Sequence, residues 1–354
     1  MAWRVLSLDG GGILGYSELL ILANILKGIP QLHGEESNSG DICPCDYFHI
    51  ITGCGIGGVI ALLLGRLRLT LAQCLLEYRT LSTCILRESW GGPLFDRNKL
   101  QEVADSIVER YCHTPFALLL EDDITDRGKT FVFAVQSDRK PYCFRTYPCS
   151  NDQDTVPIRI SDAMVALLSA RGQLDEVSIE TSDGPTAFSD DLYPCGLRNP
   201  ILDALKEVRE QWSDQTIGLI LSIGTGGVPP SDIPDLLRLG KLHDLMIPSL
   251  SDLVLPWKLL GQLRHLASIG TIDRSPDEVI DMLEDNERYI KNKLHYMGYE
   301  DKYNRFEIGP VQDTGPNDFR SVKETADETG RYLSQHSERL VSLATQLQGV
   351  GVSH

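Results

Sequence analysis

The sequence contains no apolar run long enough to cross a lipid bilayer. A membrane-spanning helix needs about 20 consecutive apolar residues, whereas the longest candidate, residues 59–64, is far shorter. The first residues, MAWRVLSLDGGG, also lack the basic and then apolar segments of a secretory signal. We therefore expect a cytoplasmic protein that makes at most transient contact with membranes.

Basic runs are missing as well. The 354 residues include 33 lysines and arginines against 50 aspartates and glutamates, so the formal net charge is −17 at pH 7. A protein that binds nucleic acid needs a basic face to neutralise phosphates, and standing attachment to an anionic membrane needs one too. The composition therefore predicts neither kind of partner.

Metal-ligand spacing is absent. Nine cysteines are scattered along the chain, and neither the Cys43–Cys45 pair nor the Cys143–Cys149 pair has a second pair at zinc spacing. The odd cysteine count is typical of free thiols. The eight histidines form no metal or triad pattern, and His49 is expected to be a buried imidazole with a hydrogen-bond partner. We expect no metal, no cofactor and no catalytic histidine.

What the sequence does contain is two successive units of strand, glycine-rich turn and helix. The first unit has an apolar strand at 4–8 and a helix at 16–26, and the second has a strand at 47–51 and a helix at 56–67. Units of this kind predict an α/β fold with a parallel sheet and helices on its faces. Further helices are expected at 71–86, 99–111 and 276–297, and further strands at 130–135, 217–223 and 303–308.

No stretch has the composition of a domain linker, and no internal repeat is present. We therefore expect a single domain over residues 1–354, with a core at about 1–310 and a C-terminal helical segment at about 320–348. Residues 227–256 hold two glycines and five prolines and are predicted to be either a lid or a surface insertion. The oligomeric state is left open.

The first glycine turn is a candidate anion site. Gly10, Gly11, Gly12 and Gly15 lie between the first strand and the first helix. Glycines allow backbone N–H groups to converge on one concavity, where the helix N-terminus also favours negative charge. Such a nest serves as an oxyanion hole in acyl transfer or as a pyrophosphate cradle in a G-x-G-x-x-G motif. Both alternatives stay open at this point.

The second glycine turn has the local form of a nucleophile elbow, G-x-S-x-G. Gly53 and Gly57 occupy the outer positions, but Gly55 stands where the serine belongs. The neighbouring Cys54 is nucleophilic by nature, yet only the apical residue of an elbow points into the site. We expect the Cys54 thiol to be buried under the turn.

The same turn also fits a dinucleotide fingerprint through Gly53, Gly55 and Gly58. A dinucleotide site needs an acidic residue about 20 residues further on, at the end of the next strand. For the first glycine turn that position falls in a polar loop at 35–36, and for the second it falls inside a helix near Glu77. A dinucleotide-binding oxidoreductase is therefore the weakest alternative.

Many segments resemble the patatin-like phospholipases, in particular their fungal-type branch. The resemblance implies a three-layer α/β/α fold with a mainly parallel central sheet. It also implies a serine–aspartate dyad without histidine, in which the serine attacks an ester carbonyl. The segments are RVLSLDGGG at 4–12, YFHIITGCGIGGVIALLLGRLRL at 47–69, LFDRNKL at 94–100, GKTFVFAV at 128–135, FRTYPC at 144–149, DLYPCGLRNP at 191–200, LILSIGTG at 219–226 and YNRFEIG at 303–309.

Transferred to this chain, the resemblance makes Gly10, Gly11 and Gly12 the oxyanion-hole glycines. It makes Gly55 the vacant nucleophile position and Asp190 the dyad aspartate, which is followed by Asp191 rather than a small residue. Leu14 stands where the family usually has arginine, and the family's R-A-T-S-A-A-P segment reads VALLSAR at 165–171. The departures lie in the catalytic motifs and leave the core strands unaltered.

Three functions follow from this pattern. The first is a member of the lipid acyl hydrolase family that binds an acyl lipid or a similar apolar carbonyl ligand without conventional serine hydrolysis. The second is a repurposed acid–base enzyme that uses Asp190 and the glycine nest. The third is a residual phospholipase or acyl hydrolase with a recruited nucleophile such as Cys54.

Overall fold

The structure is a computed structural model of the chain. It describes residues 2–32, 42–85, 97–120, 127–136, 141–149, 157–169, 177–181, 184–189, 199–225, 286–309 and 319–348. The predicted excursion at 227–256, the first part of the predicted helix at 276–297, and Asp190 and Asp191 lie outside these residues.

An eight-stranded sheet forms the centre of the fold. Its order is β5-β6-β3-β2-β1-β7-β8, and β4 pairs with β3 off this path. The neighbours β3, β2, β1, β7 and β8 all run parallel, whereas β4, β5 and β6 add antiparallel pairings. This mainly parallel sheet confirms the predicted fold class. The strands are β1 (Trp3–Leu8), β2 (Ile50–Cys54), β3 (Lys129–Gln136), β4 (Pro141–Arg145), β5 (Val177–Thr181), β6 (Gly184–Ser189), β7 (Ile217–Gly224) and β8 (Tyr303–Glu307).

Helices cover both faces of the sheet. Alternate β1 residues pack into two different apolar clusters. Leu6 and Leu8 belong to the cluster that contains helix α1 (Tyr16–Leu32), while Val5 belongs to the cluster that contains helix α6 (Ile201–Gln211). Burial on both faces explains why the parallel strands read as continuous apolar runs. The described helices are α1 (Tyr16–Leu32), α2 (Gly55–Ala61), α3 (Leu71–Ile85), α4 (Arg97–Cys112), α5 (Ile160–Leu168), α6 (Ile201–Gln211), α7 (Asn286–Met297), α8 (Phe319–Gln335) and α9 (Ser337–Gln348).

Some boundaries differ from the sequence prediction. Strand β2 begins at Ile50 rather than residue 47, because the backbone at 47 and 48 bonds back to Pro44 in a short 3₁₀ turn. The C-terminal helical segment predicted at about 320–348 consists of two helices, α8 and α9, that meet at His336. No helix among the described segments has the length and apolar character of a membrane span.

Candidate functional site

The carboxyl ends of three neighbouring parallel strands meet at one edge of the sheet. Leu8 of β1 pairs with Gly53 of β2 and with Ile223 of β7. The glycine loop after β1, the turn after β2 and Thr225 after β7 therefore lie side by side. Ligands of open parallel sheets bind at this edge.

The turn after β2 has the backbone of a nucleophile elbow. Cys54 is extended, with φ −134° and ψ 158°, and Gly55 starts helix α2 with φ 51°. The chain thus passes from strand to helix through a single residue in the left-handed region, which glycine enters without steric penalty. The predicted apex is in place, and its residue carries no side chain.

Close backbone contact explains the glycines on either side of the apex. A Cβ on Gly53 would lie 2.5 Å from the carbonyl carbon of Gly57. A Cβ on Gly57 would lie 2.7 Å from the carbonyl carbon of Leu8 and closer still to the carbonyl oxygen of Asp9. Only glycine at both positions lets α2 start directly against β2 and the glycine loop.

The predicted nest glycines lie together in the loop after β1. Within the described part of the chain, no hydrogen bond is formed by the N–H groups of Gly10 and Gly11. Their carbonyls are occupied: the Thr225 hydroxyl donates to Gly10 at 3.3 Å and the Leu14 N–H donates to Gly11 at 3.3 Å. Two unused donors at a strand end suit an oxygen that carries negative charge.

The other two glycines shape the loop. Gly12 and Gly15 are the first and last residues of a 3₁₀ turn, Gly12–Gly15, that leads into α1. A Cβ on Gly15 would lie 2.8 Å from the Ile56 side chain. A Cβ on Gly11 would likewise lie 2.5 Å from the Cβ of Thr225. The loop therefore keeps its position by close packing against α2 and the end of β7.

The Cys54 side chain faces the apolar interior. It is fully buried in a cluster with Ile50, Phe131 and Phe133. A Cβ on Gly10 would lie 3.5 Å from the Cys54 sulfur, which places the thiol beneath the glycine loop. This is the buried position that the sequence predicts for the residue before an elbow apex.

A buried ion pair lies at the base of the glycine loop, and the sequence analysis missed it. Arg305 of β8 donates to both carboxylate oxygens of Asp9, at 2.9 and 2.6 Å, and to the Ser222 hydroxyl at 2.8 Å. The Arg305 and Asp9 side chains are 9% and 5% exposed. Burial raises the pKa of Asp9 to about 6, although the charge of Arg305 lowers it. The only signal in the sequence is an arginine within an otherwise strand-like segment, YNRFE.

Glu18 is a second acid that sequence reasoning missed. Its carboxylate, at the start of α1, is fully buried and accepts a 2.6 Å hydrogen bond from the Asp9 N–H. The other carboxylate oxygen has no hydrogen-bond partner among the residues that the structure describes. Burial and the nearby Asp9 charge raise the pKa of Glu18 well above its usual value. Asp9, the residue just before the nest glycines, therefore lies next to a second buried carboxyl group, that of Glu18.

The strand that precedes Asp190 ends beside the elbow. Residues 187–189 belong to β6. Ser189 of β6 pairs with Val135, whereas Cys54 of β2 pairs with Phe133 two residues earlier on β3. Strand β4 pairs with β3 at both Phe133 and Val135 and therefore occupies one edge of β3 there. Strands β2 and β6 both pair with the opposite edge. Asp190 itself lies outside the described residues.

The segment that departs from the family's R-A-T-S-A-A-P motif lies behind the elbow. Residues 165–168 belong to α5, and a Cβ on Gly58 of α2 would lie 3.1 Å from the Leu167 side chain. An apolar helix therefore supports the elbow from below. Among the residues that the structure describes, no group of three or more histidine, cysteine, aspartate or glutamate side chains is placed to hold a metal ion.

Comparison with known proteins finds several sequences that are similar to this chain. The chain is 30% identical over 259 residues to the cGAMP-activated phospholipase of Escherichia coli (strain TW11681), a match that covers 66% of this chain and 65% of that protein. It is 24% identical over 283 residues to Phospholipase A I of Arabidopsis thaliana, covering 64% of this chain and 21% of that protein. The chain thus spans from about a fifth to just under two thirds of these relatives.

The crystal structure of VipD from Legionella pneumophila aligns with a TM-score of 0.41 and 12% identity, covering 95% of this chain and 67% of that one. The model of the family described as Patatin-like phospholipase matches residues 6–182, which hold the glycine loop, the elbow and strands β2 to β5. The chain belongs to the patatin-like phospholipase family.

Proposed function

We propose that this protein binds an acyl lipid or a similar apolar carbonyl ligand at the glycine nest and lacks conventional serine hydrolase activity. The observation that carries the proposal is Gly55, which occupies the apex of the elbow with φ 51° and carries no hydroxyl. A serine hydrolase forms its covalent acyl intermediate on the apical hydroxyl. Without that hydroxyl, the covalent route has no starting point.

The retained nest supports the binding half of the proposal. The N–H groups of Gly10 and Gly11 form no hydrogen bond among the described residues, and Gly10 lies close to Cys54 at the end of β2. Donors of this kind bind a polarised carbonyl oxygen whether or not a nucleophile follows. Loss of the nucleophilic serine of a protease lowers kcat by roughly a millionfold while binding and oxyanion contributions persist. Ligand binding is thus the property that the remaining parts preserve.

The third alternative, a recruited nucleophile, finds little support. Cys54 is the nearest thiol in the chain to the apex, and its side chain is fully buried among aromatic residues. A reactive cysteine needs solvent access and a neighbour that favours the thiolate. The fully buried Cys54 side chain lacks that access.

The second candidate function, acid–base chemistry through Asp190, is favoured by one observation. Strand β6 ends at Ser189 next to the carboxyl end of β2, so the chain leads towards the elbow at the residue before Asp190. A carboxylate near two free N–H donors would suit proton abstraction next to a polarised carbonyl. This function would need neither a serine nor a metal.

The experiment that tests the proposal restores the hydroxyl. Purified protein is given p-nitrophenyl butyrate, and release of nitrophenol is followed in the wild type, Gly55→Ser and Gly55→Ala. We expect no release by the wild type and measurable release by Gly55→Ser. Gly55→Ala is the matched control, since it carries the same left-handed backbone cost of about 1–2 kcal/mol without a hydroxyl. Asp190→Asn in the Gly55→Ser background should abolish the gained activity.

A burst of nitrophenol from the wild type, lost on Cys54→Ala, would overturn the proposal in favour of a residual hydrolase. Steady wild-type turnover that is unaffected by Cys54→Ala but lost on Asp190→Asn would instead support the acid–base alternative. Failure of Gly55→Ser to release nitrophenol, in a variant that remains folded, would show that the nest no longer stabilises an acyl oxyanion.

A further inference from the structure

The charges beneath the glycine nest are mostly acidic. Arg305 contacts the carboxylate of Asp9, comes within 3.0 Å of a Glu307 oxygen and lies 4.0 Å from a Glu287 oxygen. Lys291 balances part of the Glu287 charge at 3.4 Å. One buried guanidinium thus lies near three carboxylates. Of these three residues, Asp9 is the one that precedes Gly10 in the chain. Glu18 of α1 faces the Asp9 backbone from the other side.

Such a network changes what the nest prefers to bind. The free N–H groups of Gly10 and Gly11 attract any oxygen with negative charge, whether it is a carbonyl dipole or a full anion. Asp9 shares the Arg305 guanidinium with Glu307 and Glu287, so its negative charge is only partly balanced and repels a full anion at the neighbouring glycines. An uncharged carbonyl feels this repulsion only weakly. The two effects together favour the uncharged oxygen.

Gly224 shows that the pair is built into the fold. A Cβ on Gly224 would lie 2.8 Å from the central carbon of the Arg305 guanidinium and 3.0 Å from an Asp9 oxygen. Any side chain at this position on β7 would displace the pair. The bidentate contact to Arg305 also fixes the orientation of the carboxylate, so its charge stays at one place beside the loop.

We propose that the buried Asp9 carboxylate, held in place by Arg305, makes the nest select an uncharged acyl oxygen over an anionic one. The ligand class is then an ester or amide of an apolar acyl chain rather than the free acid. This inference rests on the proposed function, because it assumes that the nest is the ligand site. Asp9 is a specificity-determining residue in this scheme, since it acts on the ligand through its field and not by contact.

Two probes of equal chain length separate the charge of the oxygen from its shape. Octyl methyl sulfone is neutral and 1-octanesulfonate is a monoanion at every pH used, and both present S–O oxygens. Their dissociation constants are measured by calorimetry for the wild type, Asp9→Asn and Asp214→Asn, with competition between the probes to confirm one site. Asp214 is exposed and lies before β7 at the opposite end of the sheet, so its variant matches the change in net charge.

We expect the wild type to bind the sulfone more tightly than the sulfonate at pH 7.5. Asp9→Asn should improve sulfonate binding by roughly 4- to 16-fold, the range for one charge at about 10 Å with an effective dielectric constant of about 20–40. Sulfone binding should change little, and Asp214→Asn should leave both constants unchanged. Lowering the pH from 7.5 to 5 should improve sulfonate binding in the wild type, since the pKa of Asp9 is about 6, and much less so in Asp9→Asn.

The outcomes distinguish the inference from the function beneath it. If the wild type binds neither probe, the proposed ligand site is wrong and the inference falls with it. If both probes bind but the wild type shows no preference for the sulfone, or Asp9→Asn weakens both alike, Asp9 is only a structural anchor and the inference is wrong. Should Asp9→Asn not fold, the pH series on the wild type gives the same decision, with Glu18→Gln as the control for the second buried acid.

Discussion

Replacement of Gly57 by alanine tests whether the elbow depends on direct backbone contact between α2 and the end of β1. The added Cβ would lie 2.7 Å from both the carbonyl carbon and the oxygen of Leu8, and closer still to the Asp9 oxygen. These separations must grow to at least 3.4 Å, the start of ordinary contact. The opposing atoms are backbone atoms of a central strand, so no side-chain rotation can relieve the overlap.

The expected cost follows from this geometry. Overpacking a core costs about 1–3 kcal/mol, and occasionally more, and a clash that only backbone movement can relieve belongs at the upper end. Alanine in a helix recovers about 1 kcal/mol relative to glycine. We therefore expect Gly57→Ala to lower the free energy of unfolding by about 2 kcal/mol. The nest should also lose affinity for octyl methyl sulfone, because the Asp9 carbonyl has to move.

This cost is measured by urea unfolding of the wild type and Gly57→Ala. A shift of the midpoint with an unchanged m-value reports a change in stability. Gly330→Ala is the matched control, because Gly330 lies inside α8 and nothing comes within 4 Å of its added Cβ. That variant should be more stable than the wild type by about 0.5–1 kcal/mol. If Gly57→Ala were as stable as the wild type, the close approach of α2 to β1 would be wrong, and with it the described elbow.

Two further predictions concern buried titratable side chains elsewhere in the fold. Burial, together with the positive charge of Arg127, lowers the pKa of His49 to about 4. The stability that a neutral His49 contributes is present above its unfolded pKa of about 6.5 and is lost as the pH falls towards 4. His49→Gln should therefore show a smaller drop in urea midpoint between pH 7 and pH 4.5, and an equal drop would contradict this. Glu207 accepts bonds from Arg145 at 2.6 and 2.9 Å. Because Arg145 is partly exposed, Glu207→Gln should cost about 3 kcal/mol in urea unfolding, the lower end for breaking a buried ion pair. The exposed Glu210→Gln should cost less than about 0.5 kcal/mol, and equal costs would refute the burial argument.

Local patterns in the sequence predicted the parallel core correctly. The strands β1, β3, β7 and β8 and the helices α3 and α4 lie within a few residues of their predicted positions. Each has a clear apolar run or helical spacing, which neighbouring residues set by themselves. His49 is buried as predicted, with its Nδ1 accepting a bond from the Arg4 N–H at 3.1 Å, although it lies just before β2.

Of the elements that the sequence analysis did not identify, helix α5 and strand β6 lack such local signals. Helix α5 is buried around nearly its whole circumference, so it shows no polar face and no helical period. Strand β6, GPTAFS, contains glycine and proline and does not alternate, whereas β5, VSIET, alternates over only five residues. Their pairing is tertiary, since β6 pairs with β3 and β5 pairs with β6. Helix α6 has an amphipathic pattern, with Ile201, Leu205 and Val208 on one buried face, that the sequence reasoning overlooked.

The sequence by itself determined the glycine nest, the elbow and the missing hydroxyl at Gly55. These features depend on the conformations of a few consecutive residues, and glycine spacing specifies them directly. The charge environment of the nest was decided only by tertiary structure. Asp9 and Arg305 are 296 residues apart in the chain, and they meet because β1, β7 and β8 lie side by side in register. Burial then raises the pKa of Asp9 and of Glu18. This burial cannot be inferred from the residues next to them in the sequence.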